Sequence, residues 1–141
     1  MINSQDAETL ARRCIELYNK QSLEWVDVCY AENVEWVELP LPATPSGQHG
    51  NRQFLRNAAN RLLLMFPDRQ LVIRNLVAYE NHVAMEMEWR GVAAANIGSL
   101  RKGSSVQYRV ASFLTIAEGF IIKQIDNCVP IQSRVPKSGS S

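Results

Sequence analysis

The sequence predicts an α+β fold: three helices packed on one face of a curved antiparallel sheet. Two observations carry this. Three segments with apolar residues at helical spacing all fall before residue 68. One strand-like segment lies among them, and four more follow residue 69 in hairpin order. Helices gathered ahead of clustered strands argue α+β rather than a parallel α/β sheet. A strongly curved sheet closed by three helices leaves a cone-shaped cavity open at one end. Concavities of this kind are the usual small-molecule sites.

Each element has its own local reason. Over residues 6–19, Ala7, Leu10, Ala11, Cys14, Leu17 and Tyr18 form one apolar stripe. Asp6 and Glu8 sit near the helix N-terminus, where negative charge is favourable. Ser22 is a cap for a short second helix carrying Leu23, Val26, Cys29 and Tyr30. Residues 34–39 alternate, placing Val34, Trp36 and Glu38 on one face and Glu35, Val37 and Leu39 on the other. Pro40, Pro42, Pro45 and Gly47 then make a loop. Asn51 caps a third helix with Phe54, Leu55, Ala58, Ala59, Leu62 and Met65 facing inward, and Pro67 closes it. Strands are expected over about 70–79, 82–91, 105–117 and 120–128, the last entered through a Glu118-Gly119 turn. The domain is expected to span residues 1–129, with a flexible C-terminal tail over 130–141.

Bulk properties narrow the function. A chain of 141 residues with a formal charge of +1 offers no electrostatic case for nucleic acid or an anionic membrane. No apolar run approaches the roughly 18 residues of a membrane span, and no signal-peptide pattern opens the chain. Cys14, Cys29 and Cys128 are odd in number and lack a CxxC spacing, so they are expected to be reduced in a cytoplasmic protein. His49 and His82 are the only imidazoles and have no ligand cluster around them. No metal, and no nucleotide or other cofactor, is expected.

Asp126 stands out in the last strand, Phe120 to Cys128, which is otherwise fit for a core. A carboxylate there needs either a partner or a chemical role, because unpaired burial raises its pKa until it neutralises. A raised carboxyl makes a general acid or base. The other reading is a structural Asp bonded to a helix or to an arginine. Glu38 is the second candidate, either beside Asp126 or as a strand-end carboxylate in solvent. On 83–90, Val83, Met85, Met87 and Trp89 share the core or pocket face. Ala84, Glu86, Glu88 and Arg90 share a solvent or dimer face, within cross-strand reach of Arg109. Tyr108 and Ser112 share a face of 106–116 as candidate pocket hydroxyls. His49 is placed in a loop near the cavity mouth, and the long Ala93–Gly103 connection is read as a flap.

With these elements in order, the chain resembles the NTF2-like (cystatin-like) superfamily over about residues 6–129, in its SnoaL-like, ketosteroid isomerase-like and limonene epoxide hydrolase-like branches. The markers are His49-Gly50 before helix three, Phe66-Pro67-Asp68 after it, Trp89-Arg90-Gly91 ending a strand, and Glu118-Gly119. The resemblance implies an acid/base role for Asp126, at the aspartate position of SnoaL-like cyclases and limonene-type hydrolases. It puts Glu38 near the aspartate base of ketosteroid isomerases. Trp36 to Pro42 is similar to the Tyr-x-Asn-x-Pro-Leu-Pro stretch of the hydrolases, with Trp36 and Glu38 replacing the tyrosine and asparagine. Their Arg-x-Asp pair is replaced by Met87-Glu88-Trp89. The helix-one tyrosine of the isomerases matches Cys14, with Tyr18 one turn on. Their second donor, and the pocket histidine of the cyclases, fall near Ser112.

The expectation is therefore a cofactor-independent isomerase or aldol-type cyclase acting on a hydrophobic small molecule such as a polyketide, steroid-like or terpenoid compound. Asp126 and Glu38 are its acid/base pair. Trp36, Tyr18, Cys14, Met87, Trp89, Tyr108 and Ser112 are its substrate-binding set, with Ser112, Tyr108 or the Trp36 N–H steadying an oxyanion. The alternatives are a limonene-type epoxide hydrolase and a non-catalytic ligand-binding or dimerisation module. A homodimer through the outer sheet face is expected.

Overall fold

The structure, a computed structural model, describes residues 3–131. Helix α1 spans Ser4–Asn19 and begins where Asn3 caps it, accepting from the Asp6 N–H at 2.9 Å. Its buried stripe is Ala7, Ala11, Cys14 and Tyr18. Helix α2 is short, Glu24–Cys29. Ser22 accepts from the Glu24 N–H at 3.3 Å, although the N-cap position itself is Leu23. Tyr30, read above as helical, instead opens strand β1, Tyr30–Glu38. Helix α3 spans Arg52–Met65, and Asn51 caps it by accepting from the Phe54 N–H at 3.1 Å.

The Pro-rich segment after β1 is not all loop. It folds back to form β2, Gln48–Gly50, which pairs antiparallel with the end of β1. His49 is therefore a strand residue opposite Val37, and it is exposed. Strands β3 (Gln70–Tyr79), β4 (His82–Val92), β5 (Ser105–Ala117) and β6 (Phe120–Pro130) follow as antiparallel hairpins. The sheet order is β2-β1-β6-β5-β4-β3.

One pairing differs from an all-antiparallel sheet. β6 lies beside β1 and runs parallel to it, so the sheet is mixed and remains open at its edges. A parallel pair needs a long crossover, and α3 with the four strands β2 to β5 supplies one. The register sets Trp36 beside Gln124 and Glu38 beside Asp126. The Leu39 N–H donates to the Asp126 carbonyl at 2.9 Å. The α+β architecture with three helices against the concave side of a curved sheet is the cone-shaped NTF2-like fold.

Buried side chains from helices and sheet make one hydrophobic cluster between the layers. The cysteines need correction. Cys14 and Cys29 are buried and joined as a disulfide between α1 and α2, and only Cys128 is free. The two helices pack side by side, and their inward stripes bring these thiols together. The cysteine-based argument for a reducing compartment falls away with this pairing. Pro130, assigned above to the tail, closes β6, and the Ile131 N–H donates to the Gln107 carbonyl at 2.9 Å. The remainder of that tail, from residue 132, lies outside the described residues. Among the described residues no helix is long and apolar enough to cross a membrane.

Gly50 ties β2 to the interior. A Cβ there would lie 2.3 to 2.6 Å from Phe54 side-chain atoms, and Phe54 stacks on Trp36 with ring centroids 5.7 Å apart. The nearest atoms include the Phe54 Cβ, which cannot swing away without moving α3. Gly50→Ala is expected to cost about 1–3 kcal/mol, the usual range for overpacking. Urea unfolding monitored by tryptophan fluorescence measures it, and unchanged stability would show that the strand end yields freely.

Candidate active site

Asp126 is on the inner wall, held by neutral donors from three strands. The Ser112 hydroxyl on β5 donates to Oδ1 at 2.6 Å. The Trp36 indole N–H on β1 donates to Oδ2 at 2.9 Å. The Gln124 amide on β6 donates to both oxygens, at 2.9 and 3.0 Å. Gln124 is fixed in turn by the Tyr30 hydroxyl, which donates to its Oε1 at 2.8 Å. No arginine or lysine pairs with Asp126 among the described residues. Burial raises its pKa above the ordinary 3.8, while the bonds from Ser112, Trp36 and Gln124 pull the other way.

Glu38 stands next to it in register and is half-buried. Its pKa is also raised, first by burial and then by the Asp126 charge. Its own donors are weaker: the Gln48 amide at 3.2 Å and the Cys128 thiol at 3.7 Å. Tyr108 and Cys128 lie at the same half-buried end, where burial raises both pKa values. Tyr108 packs edge-on to Trp89, with centroids 5.8 Å apart.

Deeper in, the Trp89 N–H donates to the Tyr18 hydroxyl at 2.8 Å, and both residues are buried. Burial raises the Tyr18 pKa. The Arg69 charge opposes that rise, and the Asp126 charge adds to it. Tyr18 is thus within electrostatic reach of both.

The residues named from sequence fall into distinct places. Asp126, Glu38, Trp36 and Ser112 come together. However, the Trp36 N–H and Ser112 O–H are engaged by Asp126, which leaves them anchoring the carboxylate rather than serving an oxyanion. Tyr18, Trp89 and Tyr108 form an adjoining aromatic group. Met87 is buried on the inner face of β4. Cys14 is in the disulfide and the core. On the opposite face of β4, Glu88 accepts from Arg74 at 2.8 Å and Glu86 from Asn75 at 2.6 Å, with Arg109 the register partner of Glu88.

Two residues escaped sequence reasoning. Gln124 belongs to no motif that marks it, and it donates to both oxygens of Asp126. Arg69 is fully buried beside Tyr18. A signal for Arg69 existed: alternation from Leu71 and Ile73 puts it on their face. No group of three or more His, Cys, Asp or Glu side chains among the described residues is placed to hold a metal ion. The inner wall is largely filled by aromatic side chains. Two surface clefts lie elsewhere, one on the outer sheet face by Tyr79 and Phe113 and one near Asn81 and Gly119. The lining of neither includes Asp126 or Glu38.

A family model, the SnoaL-like domain, matches residues 11–124. The chain belongs to the SnoaL-like family. The match includes Glu38 and stops two residues short of Asp126. No curated protein sequence matches significantly. Solved structures share the SnoaL-like fold at low identity. AclR from Streptomyces galilaeus, a candidate hydroxylase, is 14% identical with a TM-score of 0.75, covering 89% of this chain and 79% of its own. IdmH from Streptomyces antibioticus, a candidate polyketide cyclase, is 15% identical with a TM-score of 0.75, covering 86% and 91%. An LEH-like epoxide hydrolase from M. tuberculosis is 12% identical with a TM-score of 0.70, covering 89% and 84%. These SnoaL-like relatives bear names from three chemistries, so the reaction has to be argued from the residues.

Two titrations follow. Carboxyl-detected NMR is expected to place Asp126 and Glu38 above their ordinary 3.8 and 4.5, with Ser112→Ala raising Asp126 further; a wild-type Asp126 at its ordinary value ends the acid/base assignment. Stability gives an independent readout. With its pKa raised in the fold, Asp126 binds more protons folded than unfolded between its two pKa values, so this contribution declines as pH rises through that window. Wild type is expected to lose stability relative to Asp126→Asn from about pH 4 upward. Parallel pH profiles for the two proteins would contradict it.

Proposed function

We propose that this SnoaL-like protein is a cofactor-independent acid/base enzyme that moves a proton next to a carbonyl in a hydrophobic small molecule. The observation that carries the reading is the Asp126 environment: a carboxylate on the inner wall, anchored by neutral donors, with no cation to quench its basicity. Four hydrogen bonds favour its ionised form, which makes it the base. Glu38, with weaker donors and the Asp126 charge beside it, is the more readily protonated partner and serves as the acid. Asp126 removes a proton from carbon, an enolate forms, and Glu38 returns a proton at a second position or to the product oxygen. Tyr108, at the Glu38 end of the site, is the oxyanion donor of this scheme. Isomerisation and aldol-type cyclisation both begin with this step. Polyketide-like or steroid-like ketones fit the aromatic lining.

Epoxide opening is less well supported. It needs a proton donor on β4, where Met87 and Trp89 point inward and Glu88 points outward to Arg74. Ligand binding without turnover is the second reading, favoured by the filled inner wall. A homodimer through the outer sheet face accompanies the proposal, supported by exposed Val77, Tyr79 and Phe113 beside the Glu86–Glu88–Arg90 row.

The test is α-hydrogen exchange of 2-tetralone in deuterated buffer, followed by mass spectrometry. Wild type is expected to accelerate exchange, and Asp126→Asn to lose about 10²–10⁴-fold of that rate, the usual contribution of a general base, with ligand affinity changed little. Glu38→Gln is expected to slow exchange less. Equal rates in wild type and Asp126→Asn would refute the assignment, and binding without exchange would select the non-catalytic reading.

A further inference from the structure

Arg69 precedes β3 and has no exposed surface. None of its guanidinium nitrogens (Nε, Nη1, Nη2) has a hydrogen-bond partner among the described residues. The guanidinium carbon lies 4.4 Å from the centre of the Tyr18 ring. Such a cation–π contact contributes about 0.5–2 kcal/mol. Removing an ion from water costs several kcal/mol even after relaxation. The ring alone therefore does not account for a guanidinium at this depth.

Neighbouring side chains bring further donors. The Tyr18 oxygen, which lies near the Arg69 guanidinium, already accepts from Trp89, and no hydrogen bond donated by its hydroxyl is found among the described residues. Trp25, edge-on to Tyr18 at 5.1 Å between centroids, has a buried indole N–H that is also unpaired. The position is held rigidly: the Asn19 side chain at the end of α1 donates to the Leu71 carbonyl at 2.9 Å and accepts from the Leu71 N–H at 2.8 Å. This clamp fixes the start of β3 beside the helix that carries Tyr18.

We propose that Arg69 and the Tyr18 hydroxyl form an anion pocket that takes a carboxylate of a hydrophobic ligand. A planar carboxylate offers two oxygens to the guanidinium fork and keeps a lone pair for the phenol proton. The proposal deepens the acid/base reading and rests on it for catalysis alone: the ligand would be held by its carboxylate at one end while Asp126 faces a carbon at the other. That makes the substrate class a hydrophobic keto acid rather than a neutral ketone. With Arg69 closed off from solvent, the packed aromatic side chains must move for entry, and association is expected to be slow.

The experiment compares 2-naphthoate with 2-acetylnaphthalene by calorimetry, using the full chain. Wild type is expected to bind the carboxylate at least about tenfold more tightly, as one charge-assisted hydrogen bond would give. Arg69→Met is expected to abolish that preference and leave the ketone's affinity unchanged. In ¹⁵N NMR of wild type, the Arg69 Nε–H resonance is expected to shift with 2-naphthoate and not with the ketone, which decides the matter if Arg69→Met does not fold. Equal affinities in wild type, a preference that survives in Arg69→Met, or an unmoved Arg69 resonance would each overturn the pocket. Asp126→Asn is expected to keep the carboxylate preference. Failure of the acid/base reading therefore appears only in the exchange assay, and failure of the anion pocket only here.

Discussion

A carboxylate on the inner wall of a sheet loses water and must find other donors, and at Asp126 those donors come from three strands at once. Ser112 on β5, Trp36 on β1 and Gln124 on β6 each contribute. Hydrogen bonds to a charged group stabilise by about 1.5–3 kcal/mol each, and here they offset part of the cost of burial, which still raises the Asp126 pKa. The arrangement exists only because β6 returns alongside β1 in parallel register. The donors are themselves fixed from behind. Phe54 on α3 stacks on Trp36, and Tyr30 holds Gln124. From Tyr30 a run of edge-on aromatic contacts passes through Trp25 to Tyr18, and Tyr18 meets both Trp89 and Arg69. One continuous network thus joins the carboxylate end of the interior to the guanidinium end.

The two acids are similar in type and opposite in circumstance. Asp126 has strong neutral donors and no counter-charge. Glu38 has a long amide contact, a thiol, and a neighbouring negative charge. Burial raises both pKa values, yet the donors separate their preferences. Strand register places the two side by side, and their different partners do the rest. SnoaL-like relatives with names from three chemistries show why the fold alone does not choose a reaction. The fold is common to them, and the residues that project into its interior decide what a bound molecule meets.

Much of the scaffold was legible in the chain. Asn51 reads as a helix cap because its side chain can accept a nearby backbone N–H, and it does. The α1 stripe and the β4 alternation follow from helical and strand periodicity, and each buries the face that its pattern marks. The Asp126 anomaly was visible as a charge in an apolar strand. Misreadings occurred where distant segments meet. Tyr30 changed from helix to strand because β6 supplies a pairing partner. Cys14 left the candidate site because α2 brings Cys29 against it. Trp36 and Ser112 kept their place in the interior and changed their part in it, since the acceptor they serve lies on another strand.

By itself the sequence determined what local periodicity and composition control: the elements, which face of each is apolar, and that Asp126 and Glu38 would be costly to bury without purpose. Only the tertiary structure decided which side chains meet. Trp36 and Asp126 are 90 residues apart, and Tyr18 and Trp89 are 71 apart. Contacts of that kind depend on strand order and register, which emerge when the whole core packs. No window of sequence contains both partners, and so no window shows that Arg69 ends fully buried with its guanidinium nitrogens unpaired among the described residues.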